Sequence, residues 1–304
     1  MKIVTGIGQC SLDYLAQVDR YPEIDTKREA LQWREQGGGP VATALVALSR
    51  LGVGSRFYGV IGDDVAGQKI EASLREENVD SRGLVLRKNA TSQVAFIAIE
   101  RFSGKRTIIW KRPSGEELRE DELGGDFLRG SRFLLLDGLM ANVSNFAARK
   151  AKELGVPCML DAGRVREGML EIAALCEYVV GAEQFAKDLG WRGSAEEFLG
   201  RANSLGAKVV TITLGDRGSV TYAGDRIIEV PAFRVDVEDT TGAGDVFHGG
   251  YIFGLLAKWD LEKTLIFSSA MAAMKCRDIG GRTGIPSLPG AFSFLKERGF
   301  DYSP

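Results

Sequence analysis

Asp239-Thr240-Thr241-Gly242-Ala243-Gly244-Asp245, continuing as Val246-Phe247-His248-Gly249-Gly250, is a glycine turn that runs straight into a helix. A helix start carries unpaired N–H groups and the positive end of the dipole. Such an end favours phosphate, and Gly242 and Gly244 let the backbone approach an anion closely. Two readings of Asp245 stand side by side. It complements the dipole, a contribution of ~0.3–1 kcal/mol, or it is a general base that takes a hydroxyl proton while adjacent amides hold a phosphoryl group. His248, one helical turn further on, reads as a packed structural residue that the acid–base argument does not require.

On either side of this turn, short apolar runs alternate with helical patterns. Lys2–Ile7, Arg56–Ile61, Phe133–Asp137, Cys158–Asp161, Tyr178–Val180 and Val209–Leu214 read as strands. Helical spacing marks Val41–Leu51, Val65–Glu77, Val143–Leu154 and Arg166–Ala174, and most strongly Asp245–Ala257 and Leu261–Cys276. Ser194 with Glu197 is a capping-box signature for a further helix ending at Gly206. The alternation predicts an α/β fold, a doubly wound, mostly parallel sheet with helices on both faces. Two stretches break the rhythm: the polar, alternating Arg28–Glu35, and a hairpin from Ser92–Glu100 to Lys105–Lys111 across Ser103-Gly104. They predict a small antiparallel lid, with strands inserted at about 14–36 and 92–112 of one domain spanning 1–304. A second hairpin joins Ser219–Tyr222 to Arg226–Val230.

The chain has 304 residues; its 39 basic and 41 acidic side chains leave a net charge of −2. That balance argues against a nucleic-acid partner, whose footprint is normally basic. A content of 44% hydrophobic and 26% charged residues is that of a soluble globular protein. No apolar run approaches the ~18–20 residues of a membrane span, and no secretory core follows Met1-Lys2, so a cytoplasmic protein without a membrane partner is expected. The 38 glycines are neither periodic nor low-complexity. Cys10, Cys158, Cys176 and Cys276 are far apart, and one histidine leaves little for zinc; the cysteines read as reduced, mostly buried thiols.

Two further glycine segments precede or follow strands. Gly37-Gly38-Gly39-Pro40-Val41-Ala42-Thr43 is either a plain helix entry or a place where a polar ligand packs on backbone, with Thr43 in hydrogen-bond reach. Gly6-Ile7-Gly8 lacks the third glycine of a dinucleotide fingerprint, and Asp13 comes too soon to be its ribose acid. No Walker A motif occurs. Asp13 lies just past a strand end, where ligands of open α/β sheets gather; it is either a solvated loop residue or a carboxylate that accepts bonds from sugar hydroxyls.

Taken together, these residues resemble the PfkB (ribokinase-like) carbohydrate kinases over nearly the whole chain. The likeness runs through Asp13, Gly38-Gly39 to Arg50-Leu51-Gly52, Gly59-x-x-Gly62-Asp63-Asp64, Thr213-Leu214-Gly215-x-x-Gly218 and the signature at 239–245. It implies a β lid, ATP as phosphoryl donor, Mg²⁺, and a hydroxyl acceptor on a sugar, with a nucleoside acceptor or a non-catalytic sensor as the alternatives. By motif position, Asp245 resembles the catalytic base, and Gly242, Ala243 and Gly244 the anion hole. Asp13, Gly38, Gly39 and Thr43 fall on acceptor positions; Thr213, Gly215, Gly218, Lys275 and Gly280 fall on the nucleotide side. Asp239 and Thr241, with the 275–284 segment, correspond to a monovalent-cation (K⁺) site of some relatives. Thr43 stands where many sugar kinases have Asn. The Mg²⁺-linked Asn-x-x-Glu motif is replaced by Gly181-Ala182-Glu183-Gln184, with Glu183 as its substitute. Gly37–Pro40, Val235–Gly249 and Lys275–Pro286 are similar to bacterial sulfofructose kinases, as is Lys27 in the lid. The asparagine and arginine that would grip a sulfonate there are Trp110 and Leu139 here, leaving Lys27, Lys111, Arg112 or Arg164 for an anionic end group. Trp33, Phe96 and Trp110, in lid strands, cover the acceptor, form a lid-to-lid homodimer contact or fill the lid core.

Overall fold

The computed structural model describes residues 2–302. Along the chain come β1 (Ile3–Ile7), β2 (Ser11–Val18), β3 (Gln32–Gly38), α1 (Pro40–Arg50), β4 (Gly54–Gly62), α2 (Val65–Glu76), β5 (Val79–Arg87), β6 (Val94–Glu100) and β7 (Arg106–Lys111). Then follow β8 (Ser131–Leu136), α3 (Ala141–Glu153), β9 (Cys158–Ala162), α4 (Met169–Leu175), β10 (Tyr178–Ala182), α5 (Glu183–Asp188) and α6 (Ala195–Ser204). The last third holds β11 (Val209–Thr213), β12 (Ser219–Ala223), β13 (Arg226–Val230), α7 (Ala243–Leu256), α8 (Leu261–Lys275) and α9 (Leu288–Lys296).

Nine strands form the main sheet in the order β13-β12-β11-β10-β9-β8-β1-β4-β5. All its pairs are parallel except β11–β12 and the predicted hairpin β12–β13. Successive side chains of a strand point to opposite faces, and the central strands divide their residues accordingly. Phe133, Leu135, Met159 and Val180 enter a core with α1, α2, α7, α8 and α9. Leu134, Leu136, Leu160 and Val179 enter the opposite core with α3 to α6. The sheet is thus covered on both faces, as the alternation predicts. Strand order reverses at β1, which lies between β8 and β4. The crevice at such a reversal, beyond the carboxyl ends of the strands, is where open α/β sheets bind ligands.

β3-β2-β6-β7 form a second, four-stranded sheet beside that crevice. The expectation of an antiparallel lid needs correction, because β2 pairs with β6 in parallel. The lid insertion expected at about 14–36 begins earlier, since β2 starts at Ser11. The strand carries apolar residues on both faces, Leu12 toward the main core and Leu15 toward a small lid core with Ala95, Ile97, Ile99 and Ile279. That pattern leaves no clean alternation to read. All four cysteines are free and buried. Ser194 caps α6 by accepting from Glu197 N at 3.1 Å, whereas the Glu197 carboxylate returns to Arg192 N and not to the cap itself. Among the described residues, no helix is long and apolar enough to cross a membrane.

Candidate active site

The crevice is a cleft of about 460 Å³ between the carboxyl ends of the sheet strands, the inner face of the lid and the start of α7. Four carboxylates converge on it: Asp13 from β2, Asp137 after β8, Asp161 from β9 and Asp245 from α7. Arg106 and Arg112 reach it from the lid, and Arg164 and Arg166 from the loop between β9 and α4.

Gly242 opens α7 in the left-handed region (φ 75°), and an added Cβ there would crowd Gly281 O at 2.7 Å. Only glycine serves at such a position without strain. Gly244 is exposed and faces open space. Its amide can therefore meet a ligand, whereas the Ala243 amide already donates to Thr240 O at 3.3 Å. Burial in the cleft pushes the Asp245 carboxyl well above the usual range; Asp161 adds to the rise, and Arg106 opposes it. Burial likewise raises Asp13, against a 2.6 Å bond from Ser11 Oγ and the charge of Arg282. Asp137 is pushed up to about 7 by burial, although it accepts from Gln9 N (2.7 Å) and Leu139 N (3.0 Å). His248 is buried, with Nδ1 2.6 Å from Gly244 O and Nε2 3.2 Å from Val180 O. The second contact ties α7 to β10, and the ring also lines the cleft, with Nε2 3.5 Å from Asp161 Oδ1.

Of the residues singled out in the sequence, Asp13, Gly39, Thr213, Thr241, Gly242, Gly244 and Asp245 line the cleft together. Trp110 and Leu139 do so as well. Gly38 and Thr43 lie just behind, and both touch Arg282: its guanidinium donates to Gly38 O (3.1 Å) and Thr43 Oγ1 (3.4 Å). Lys27 is exposed on the segment between β2 and β3 and is outside the cleft lining. Gly215 and Gly218 flank the turn after β11, both with positive φ, and Gly218 packs on the Val230 carbonyl. Lys275, Gly280 and Asp239 form a buried knot behind the α7 turn.

Glu183 starts α5, and its oxygens are held by Lys187 (2.7 Å) and Arg217 (2.9 Å). Among the described residues, no three His, Cys, Asp or Glu side chains form a metal cage. Mg²⁺ rarely needs one, being carried by substrate phosphates with one or two carboxylates. Asp137 and Asp161 line the cleft as carboxylates of that kind.

The sequence profile of the pfkB family carbohydrate kinases matches residues 1–288. The chain belongs to that family. This kinase is 27% identical over 299 residues to the ATP-dependent ribose-1-phosphate kinase of Halopiger xanaduensis, covering 97% of this chain and 98% of the relative. It is 30% identical over 317 residues to fructokinase-2 of Zea mays, covering 94% and 91%. Its fold superposes on Arabidopsis thaliana ribokinase complexed with ribose and ATP at a TM-score of 0.82, with 22% identity over 97% of this chain and 99% of that one. The kinase is thus an ATP-dependent carbohydrate kinase with the ribokinase-like fold.

Sequence reasoning passed over Asp137, Asp161, Arg106 and Arg166, which line the cleft, and Arg282, which lies behind it. The first two end or follow strands that were read correctly, so the strand-end rule would have found them. Arg282 had no such signal. It is fully buried 239 residues from Thr43, and only folding brings the two together.

Proposed function

We propose that this kinase transfers the γ-phosphoryl group of ATP to a hydroxyl of a small sugar or sugar derivative, with a ketohexose-like acceptor favoured. The observation that carries the reading is the meeting of Asp245 and Asp13 in one cleft, beside the open amide of Gly244 at the start of α7. Asp13, with Gly38, Gly39 and Thr43 behind and beside it, orients the acceptor. Asp245 takes the proton of the attacking hydroxyl as its oxygen bonds to the γ-phosphorus and the bond to ADP breaks. A base held above the usual carboxylate range is better matched to that task than an ordinary surface aspartate. The turn at Gly242, Ala243 and Gly244 is the anion hole of this reading: the open Gly244 amide and the dipole of α7 meet the charge that develops on the phosphoryl oxygens.

Thr213, Gly215, Gly218 and Gly280 form the nucleotide side. Mg²⁺, when bound, would neutralise the phosphates; Glu183 would help to hold it only if freed from its pairs with Lys187 and Arg217. The lid excludes water so that the acceptor, and not water, is phosphorylated. Its outer face carries exposed Trp33 and Ile109, which we read as a homodimer surface. A cytoplasmic setting suits the ATP requirement and the four free, buried thiols. The names of the maize and haloarchaeal relatives, a fructokinase and a ribose-1-phosphate kinase, support a sugar acceptor. Trp110 and Leu139 in the cleft keep the likeness to sulfofructose kinases one of ancestry and not of substrate.

The test is ADP release from MgATP over a panel of ketohexoses, aldopentoses, sugar acids, phosphorylated and sulfonated sugars, and nucleosides. Anionic sugars belong in it because Arg112 and Arg164 line the cleft. An acceptor-dependent signal that Asp245→Asn abolishes supports the reading. Binding of acceptors without turnover would replace it with a sensor.

A further inference from the structure

The amine of Lys275 lies against Asp239, one of the residues at which the family resemblance puts a monovalent cation. Lys275 ends α8, and its side chain has no solvent exposure. Its Nζ donates to the Asp239 carbonyl oxygen at 2.7 Å. The Asp239 carboxylate, also fully buried, has donors on both oxygens. Oδ1 accepts from Thr241 N (2.8 Å) and Thr241 Oγ1 (2.7 Å), and Oδ2 accepts from Gly280 N (2.8 Å). K⁺ needs several oxygens turned toward one hole to replace its hydration shell. Here those oxygens face N–H and O–H donors, and an ammonium caps the carbonyl. A second cation beside it would meet a like charge out of water, where repulsion is several times stronger. These residues do not fit K⁺.

We infer that Lys275 is the built-in cation of this kinase: its tethered ammonium fixes the Asp239 end of the Asp239–Asp245 turn, and the enzyme works without K⁺. The segment around Lys275 is shaped for that task. Cys276 O accepts from Glu238 N (2.8 Å) and Asp239 N (3.2 Å), so the end of α8 grips the backbone entering the turn. At the other end of the turn, Gly242 packs directly on Gly281. The turn that presents Gly244 and Asp245 is therefore clamped on both sides by residues 275–281. Lys275 touches no reacting atom; it is a positioning residue. Burial draws its pKa below the usual lysine range. The Asp239 carboxylate is the strongest influence holding the proton on, Cys276 and Asp245 act in the same sense, and Arg106 acts against it. The activity arm of the test rests on the proposed function; the binding arm does not.

The experiment compares KCl with choline chloride at equal ionic strength, on the native chain, Lys275→Ala and Lys275→Met. Both ADP release and the thermal midpoint are read. In the native kinase the two salts give rates within about twofold, and K⁺ gives no specific thermal shift. Lys275→Ala loses about tenfold or more in kcat and regains part of it with K⁺ or methylammonium. Lys275→Met, whose apolar chain fills the space, is not rescued. Several-fold activation of the native enzyme by K⁺, a K⁺-specific rise in its midpoint, or full activity of Lys275→Ala in choline chloride overturns the inference. If Lys275→Ala does not fold, the two native measurements decide. If no acceptor is turned over, it is the proposed function that fails, and the native midpoint still decides whether K⁺ binds.

Discussion

Gly38 abuts Asp13 so tightly that a methyl group on its Cα would overlap the carboxylate oxygens of Asp13. The contact follows from the lid register, in which Ser11 pairs with Gly38 and Asp13 with Gln36 across β2 and β3. Gly38→Ala is therefore expected to displace Asp13 from the acceptor side of the cleft. A shift of about 1 Å in a positioning group costs up to ~10²-fold. The acceptor KM should rise by about tenfold or more while the ATP KM stays near native. Steady-state kinetics with each substrate varied in turn checks this; an equal rise in both would contradict it.

Asp245→Asn should lower kcat by about 10²–10⁴-fold, the usual contribution of a general base. Nucleotide affinity, measured by calorimetry with a non-hydrolysable ATP analogue, should remain.

On the proposed mechanism the same carboxyl sets the acid side of the pH–rate profile. A base works only when deprotonated, so kcat should climb as pH rises through the elevated pKa of Asp245. Asp161 raises that pKa and Arg106 lowers it. Asp161→Asn should move the acid limb to lower pH, and Arg106→Met should move it to higher pH. Limbs that stay in place in both variants would remove Asp245 from the rate-setting titration.

Arg282 is fully buried and gives hydrogen bonds to Gly38 O, Thr43 Oγ1 and Ser73 Oγ. It also lies in the field of Asp13. A hydrogen bond to a charged group is typically worth about 1.5–3 kcal/mol. Arg282→Met should lower unfolding stability by about that much in urea titrations. Arg282→Lys should not restore it, because a point charge cannot replace the planar fork.

On the outer face of the lid the rings of Tyr14, Trp33 and Phe96 stand 6.3 and 6.0 Å apart in a row, beside exposed Ile109. If two lids meet there, a charge at the centre of that face is poorly tolerated. Sedimentation should show a native dimer and a monomeric Trp33→Lys, Ile109→Lys double variant. A native chain that sediments as a monomer at micromolar concentration would dismiss the lid interface.

Much of this protein is written locally. Period-two apolar runs, Gly–Pro punctuation at Gly39-Pro40 and the Asp239–Asp245 turn depend on neighbours within a few residues. They gave the parallel sheet, the helices on both faces, the lid hairpin and the helix start that holds Asp245. The start of β2 at Ser11 and its parallel pairing with β6 were not legible, because both its faces are buried, one by the main core and one by the lid core.

What the chain could not state by itself is which distant groups meet. Asp13 and Asp245 are 232 positions apart and share a cleft only because the main sheet reverses its order at β1. Arg282 becomes a buried cation behind Gly38 and Thr43 only when the segment after α8 packs under β3 and α1. Lys275 reads as an ordinary helix-ending lysine until folding buries its amine against the Asp239 carbonyl. Sequence pattern reports the period of burial and the local turn. Charge pairing in a low-dielectric interior depends on three-dimensional proximity, and that was decided by the tertiary structure alone.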